Sequence, residues 1–171
     1  MIKKIKLLVR KVIWSPEKRA RKVGVKIGER CDIQNVSFGS EPYLIEIGNH
    51  VQLTAGTKIF THGAGWVLRE KYPNIDFFGK VKIMDNVYVG NNVLILPGVT
   101  IGENSVIAAG TVVTKSVPKN SVLAGNPGKV IDTIENFENK MLKFDLKCKK
   151  MNPSEKRAFL LAQDEHKFII K

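Results

Sequence analysis

An aliphatic residue recurs at every sixth position over one stretch of the chain: Ile83, Val89, Ile95, Ile101, Ile107 and Val113. That period fits neither a helix nor a plain strand, but it does fit a solenoid built from six-residue units. A second periodicity runs in phase. Four residues after each aliphatic comes a small or β-branched residue: Val87, Val93, Val99, Ser105, Thr111 and Val117. Gly90 and Gly102 directly follow an aliphatic, where a tight corner would call for a residue tolerant of positive φ. The register also appears earlier. Ile47, Leu53 and Ile59 share it, with Gly48, Val51 and Thr57 in the matching slots; Ile27 and Ile33 open a separate phase with Gly28, Cys31 and Ser37. Each hexad predicts a short strand plus a corner. One hexad cannot bury its aliphatic side chain alone, whereas stacked coils bury a continuous column of them.

Two segments interrupt the repeat: Gly39-Ser40-Glu41-Pro42-Tyr43-Leu44, and a longer one over about 63–80. Six-residue units leave no room for an insertion inside the core, so the long segment must project as a loop. Loops of that length are commonly functional, and this one carries Trp66, Tyr72, Phe77 and Phe78, an aromatic content that predicts packing against something. Outside the repeat the pattern turns helical. Ile2, Ile5, Leu8, Val9, Val12 and Ile13 alternate with lysines, so residues 1–14 read as a basic amphipathic helix. Ser15-Pro16-Glu17 is a helix start, with Ser as N-cap, and Gly24 is its stop. After Ile131 the repeats end. An amphipathic helix is expected from Asp132 to about Met151, and Asn152-Pro153-Ser154-Glu155 begins another. The predicted organisation is a helical segment over 1–23, a solenoid domain over 24–131 and a helical segment over 132–171 that caps the solenoid or packs across an oligomer.

The hexads resemble those of the hexapeptide-repeat acyltransferases, and Val89-Gly90-Asn91-Asn92-Val93 through Ala124-Gly125-Asn126-Pro127 is similar to the sugar and polysaccharide O-acetyltransferase branch. The resemblance spans residues from about 24 to 131. It implies an all-β solenoid: a left-handed parallel β-helix with three hexads per triangular coil and an excursion loop. General crossover rules would have given the opposite hand. It also implies acetyl-CoA as co-substrate, a sugar or glycan acceptor, and a homotrimer with active sites between subunits.

The same resemblance makes His62, at the start of the loop in Thr61-His62-Gly63-Ala64-Gly65-Trp66, the general base. The chemistry needs one, because a sugar hydroxyl is a poor nucleophile and imidazole as a group titrates in the right range. The hydroxyl would attack the thioester carbonyl directly, and a backbone N–H of a neighbouring coil would stabilise the oxyanion. His50 reads as a solvated corner residue, and His166 lies in the charged tail. Glu41 precedes His62 by twenty-one residues, one coil plus a small bulge, which makes it the first candidate to orient the imidazole. Asp76, Glu70 and a backbone carbonyl are the alternatives. Trp66 is the acceptor-stacking candidate, with Asp76 beside it on the acceptor side; equally, the loop aromatics could join subunits. By residue-wise resemblance, Ala109 and Gly110 would let the pantetheine arm approach the backbone. Thr114 and Lys115 would contact the distal coenzyme, and Tyr88 and Asn91 would floor the acetyl pocket. Lys129 stands where the family often has arginine, keeping the charge for a phosphate but losing the bidentate fork.

Charge adds one feature. The chain carries a net +12, concentrated at its start, where eleven Lys and Arg within residues 1–30 face only Glu17 and Glu29. Residues 1–14 could therefore touch an anionic membrane surface, or simply pack with their lysines in water. No nucleic-acid motif accompanies the charge. Cys31 and Cys148 form neither a disulfide framework nor a ligand cluster, and no metal is expected. No apolar stretch approaches the ~20 residues of a membrane span, so the expected location is the cytoplasm, at the inner membrane face where residues 1–14 make that contact. The expected function is O-acetylation of a sugar in capsule or lipopolysaccharide synthesis. The alternatives are N-acetylation of an amino sugar or a drug, and a non-catalytic scaffold.

Overall fold

The computed structural model describes residues 14–170. The basic segment predicted over residues 1–14 lies outside them apart from Trp14. The described residues form two compact units, the first running to Ile134 and the second starting at Glu135.

The first unit opens with helix α1 (Pro16–Lys22). The Ser15 side chain accepts the Lys18 N–H as N-cap, and Gly24 at φ +108° ends the turn, as the sequence predicts. Short parallel strands then wind through three sheets. One sheet stacks β1 (Lys26–Ile27), β3 (Ile45–Ile47), β6 (Val81–Ile83) and β9 (Thr100–Ile101). A second stacks β2 (Asp32–Ile33), β4 (Gln52–Leu53), β7 (Val87–Val89), β10 (Ser105–Ile107) and β12 (Ser121–Ala124). The third stacks β5 (Lys58–Ile59), β8 (Leu94–Ile95) and β11 (Val112–Val113). Each coil visits the three sheets in turn, so the unit is a three-faced parallel solenoid. The aliphatic column lies inside: Ile59, Ile83, Val89, Ile95, Ile101, Ile107 and Val113 are at most 1% exposed. Burying a side chain of this kind is worth roughly 1.5–3 kcal/mol, so the column carries much of the stability.

The corners correct one expectation. Gly90 and Gly102 do not adopt positive φ. An added Cβ would lie 2.5 Å from the Ala109 amide nitrogen and 2.5 Å from that of Lys119, so these glycines are required by the closeness of the next coil. The positive-φ duty falls to Asn86, Asn92, Asn104 and Asn120 and to Gly56, Gly98 and Gly110. Asparagine tolerates that region because its short amide bonds locally. Here the amides also bond coil to coil: Asn86 donates to Asn104 and Asn104 to Asn120, each at 2.7 Å, and His50 Nδ1 lies 2.8 Å from Asn86 Oδ1. His50 is thus a corner residue as expected, but a bonded one.

Val117 is a second correction. It bridges to Ile101 and so continues the aliphatic column, where the hexad count had put it in the small-residue slot. The last coil is shorter, and Ile107 consequently pairs with Leu123. The third difference lies at the end of the solenoid. Strand β13 (Lys129–Thr133) runs antiparallel to β12 and covers its edge, where a helix was expected from Asp132. Val130, Ile131 and Thr133 are β-branched and favour extended backbone, and an uncovered edge would invite foreign strands.

The second unit contains most of α2 (Ile134–Leu142) and all of α3 (Pro153–Leu161). Asn152 caps α3 in a reciprocal capping box with Glu155, as its sequence signature predicts. Among the described residues no helix is long and apolar enough to cross a membrane.

The glycine argument predicts a contrast. Gly90→Ala should destabilise the protein by about 1–3 kcal/mol through overpacking, whereas Gly63→Ala, whose Cβ would meet nothing within 4 Å, should be near neutral. Denaturant unfolding of both variants checks this; equal midpoints would refute the close-approach explanation.

Candidate active site

The two interruptions leave the solenoid at the same edge, one coil apart. The first begins at Gly39, whose φ of +65° turns the chain outward, and returns through a 3₁₀ turn at Pro42–Leu44 into β3. The second leaves after β5. Its neck closes where His62 bridges antiparallel to Phe78 and the Gly79 N–H donates to the Thr61 carbonyl at 2.7 Å. Between these points the chain turns at Ala64 (φ +61°) into a 3₁₀ turn, Gly65–Leu68. Because one coil stacks directly on the next, Glu41 from the first excursion faces His62 from the second.

The contact is short. His62 Nδ1 lies 2.7 Å from Glu41 Oε2, with the side chains 40% and 16% exposed. The Thr61 hydroxyl donates to the same Oε2, also at 2.7 Å. The Phe78 ring stands against the imidazole at 5.7 Å between centroids and 58° between planes. The Thr61 hydroxyl holds the Glu41 carboxyl below its ordinary range; partial burial opposes this, and the hydrogen bond and charge of His62 add to the lowering. Glu41 is therefore an ionised acceptor at neutral pH. An ionised carboxylate only accepts, so the proton between the two residues sits on Nδ1. In neutral imidazole that leaves Nε2 as the ring's acceptor, on a partly exposed side chain.

Of the proposed orienting groups, the one on the ring is Glu41. Asp76 is exposed, and its Oδ1 accepts the N–H of Phe77. Trp66 is 83% exposed, and Val67, Tyr72, Phe77 and Phe78 are exposed with it, so the loop presents an apolar surface outward. Thr61 and Phe78, the latter among the loop aromatics expected to pack, are the members of this cluster to which the sequence assigns no place beside the ring. A hydroxyl residue directly before the histidine was the available signal for Thr61. Nothing in the repeat points to Phe78, which reaches the ring only because the loop closes back on its own neck.

The coenzyme candidates lie elsewhere on the solenoid. Tyr88 faces outward from β7 between Gln52 and Val106 and is 42% exposed. Asn91 and Gly110 stack along the edge that follows, where the Gly110 N–H donates to the Asn91 carbonyl at 2.8 Å. Ala109 is exposed beside them, and Gly110 has φ +71° with open space where a Cβ would stand. That edge offers backbone that a slender arm could approach. Thr114 and Lys115 are exposed on the edge from which the excursions leave, and Lys129 is exposed in β13 opposite Ala124. Within the chain His62 and Tyr88 therefore belong to different sides of the solenoid. Among the described residues, no three His, Cys, Asp or Glu side chains converge as metal ligands.

Residues 80–115 match the family described as bacterial transferase hexapeptide (six repeats). Protein CapG of Staphylococcus aureus is 49% identical over 149 residues, covering 85% of this chain and 87% of that protein. A galactoside O-acetyltransferase of Lactococcus lactis is 38% identical, covering 63% of this chain and 62% of its own length. Among solved structures, a hexapeptide-repeat acetyltransferase of Vibrio cholerae complexed with acetyl coenzyme A aligns with a TM-score of 0.58 at 31% identity. It covers 64% of this chain and 60% of that one.

The lowered Glu41 pKa has a stability consequence with a definite sign. A carboxylate more acidic in the folded state than in the unfolded one stabilises the fold above the ordinary carboxylate range and loses that contribution as pH falls through its folded pKa. Melting temperatures of the native chain and Glu41→Gln should accordingly differ at neutral pH and converge in acid. A difference independent of pH would show that the carboxylate charge is not what stabilises the cluster.

Proposed function

Because the chain belongs to the bacterial transferase hexapeptide family, we propose that it is an acetyl-CoA-dependent O-acetyltransferase acting on a sugar hydroxyl, with His62 as general base. The observation that carries this reading is the 2.7 Å contact between His62 Nδ1 and Glu41, which leaves Nε2 as the proton acceptor. The acceptor hydroxyl gives its proton to Nε2 while its oxygen attacks the thioester carbonyl. The tetrahedral oxyanion, met by a backbone N–H, collapses to the sugar ester and releases the coenzyme thiol, which takes the proton back. Glu41 holds the ring in one tautomer and stabilises the imidazolium between the two proton transfers.

The donor fits the residues present. Ala109 and Gly110 leave backbone accessible on an exposed edge, and Lys115 and Lys129 are exposed cations suited to phosphate. Tyr88 and Asn91 would floor the acetyl pocket, with Thr114 beside the distal coenzyme. On the acceptor side, Trp66 offers an exposed aromatic face to a sugar ring and Asp76 a carboxylate to its hydroxyls. The separation of His62 from Tyr88 and Asn91 within one protomer supports a homotrimer whose sites are completed between subunits. We read the coil as left-handed, like the family's, with residues 24–131 as the catalytic domain and 1–23 and 132–171 as appendages. The similarity to CapG and to a galactoside O-acetyltransferase favours a surface polysaccharide precursor as acceptor. The reaction belongs in the cytoplasm, where acetyl-CoA is made, and residues 1–14 are suited to an anionic membrane face.

Thiol release from acetyl-CoA, measured across sugars and nucleotide sugars, tests the reading. His62→Ala should lower acceptor-dependent release by about 10²–10⁴-fold, and the product should be cleaved by mild alkali, as an ester is. Unchanged release in the variant would remove His62 as base, and an alkali-stable product would make the enzyme an N-acetyltransferase.

A further inference from the structure

We propose that Thr61 is a positioning residue for the reaction: its buried hydroxyl fixes Glu41 against the His62 ring while its carbonyl closes the neck of the loop. The inference rests on the reading of His62 as base.

Thr61 is 1% exposed, and buried hydroxyls as a rule find a partner within the protein. Among the other buried threonines of the solenoid, Thr54 donates to the Val89 carbonyl of the next coil at 2.8 Å and Thr57 to the Gly90 carbonyl at 3.3 Å, while the Thr111 hydroxyl has no partner. Thr61 instead donates to an ionised side chain, on the very oxygen that accepts from His62. Two donors at 2.7 Å converging on Oε2 leave the carboxylate little freedom. The hydroxyl is itself held, because β-branching restricts χ1 and the backbone around it is clamped. Phe60 N–H donates to the Ile95 carbonyl at 2.9 Å, and Gly79 N–H donates to the Thr61 carbonyl at 2.7 Å. Gly79 can pass there because it lacks a side chain; a Cβ would lie 2.3 Å from the Gly98 amide nitrogen. One residue thus ties together the coil, the loop neck and the carboxylate that sets the imidazole.

Removing the hydroxyl has two consequences beyond packing. Glu41 gains freedom, which misplaces the ring at the moment of proton transfer. The charge on Oε2, no longer shared with Thr61, is also more available to Nδ1–H and stabilises the imidazolium. Glu41 is the charged group against the His62 ring, which carries charge only when protonated; Thr61 and Phe78, the other described members of the cluster, are uncharged.

The test compares Thr61→Val, which keeps the shape, Thr61→Ser, which keeps the hydroxyl, and His62→Ala, all in the full chain. Thr61→Val should lower kcat by about 10-fold or more with little change in the KM for acetyl-CoA. It should also move the acid limb of the kcat/KM–pH profile to higher pH. Thr61→Ser should restore both. A lower kcat with an unmoved acid limb would reduce Thr61 to a packing residue and overturn the proposal. So would native behaviour of Thr61→Val alongside an inactive His62→Ala, which leaves the base assignment standing. An active His62→Ala would instead overturn the underlying reading. If Thr61→Val does not fold, the His62 ring titration in Thr61→Ser and Thr61→Ala decides: a higher midpoint in Ala only supports the proposal, and equal midpoints refute it.

Discussion

Every coil of this solenoid must pair in register with the coils beside it, and the rest of the structure follows from that stacking. Strands hydrogen-bonded side by side lie ~4.8 Å apart, so equivalent residues of successive coils form columns. Inside, the columns are aliphatic. At the corners they are asparagines whose amides bond one another along the stack, or residues whose missing side chain admits the neighbouring backbone, as at Gly90 and Gly102. An insertion survives only where it leaves the columns intact. Both excursions therefore leave outward from one edge, and the chain rejoins its register at Ile45 and at Val81, which pair with each other.

The same stacking builds the chemistry. Glu41 and His62 are far apart along the chain, but each follows its excursion's departure from the same edge, so the coil spacing becomes a hydrogen bond of 2.7 Å. The electrostatics then run one way. Thr61 and His62 hold Glu41 ionised, the ionised carboxylate keeps the proton on Nδ1, and Nε2 is left to accept. In the proposed reaction, Glu41 and Thr61 would hold the ring in place at the necks of the excursions before a hydroxyl arrives, which is the condition for efficient proton transfer. The loop beyond His62 is a different kind of surface, apolar and exposed through Trp66 and its neighbours, suited to a ring or to another subunit.

The repeat was legible because burial of one column imposes one residue type at one spacing. Ile83 to Val113 declared the solenoid, and the spacing of Glu41 from His62 announced their meeting. Less was legible where the controlling distance was between coils. Gly90 looks in sequence like a positive-φ glycine, and only the position of Ala109 shows that close approach is its reason. The asparagine corners carry no signal in the repeat because their partners are one coil away. Val117 was misplaced because the last coil is shorter, and periodicity cannot anticipate where it fails. Strand β13 was hidden because it pairs antiparallel with β12 outside the repeat. Thr61 lay in plain view beside His62, but its acceptor belongs to another excursion. The coenzyme-side residues rest on resemblance alone, since His62 and Tyr88 stand on different sides of the chain's solenoid.

The central claim is that a carboxylate one coil away sets the tautomer of His62. Nitrogen-15 NMR of the histidine rings in their neutral form tests it most directly, with His62 assigned by comparison with His62→Ala. The account predicts a protonated, hydrogen-bonded Nδ1 and an unprotonated Nε2, with that preference weakened in Glu41→Gln. A ring protonated at Nε2 in the native protein would contradict it, because the nitrogen left to accept would then face Glu41 rather than the substrate.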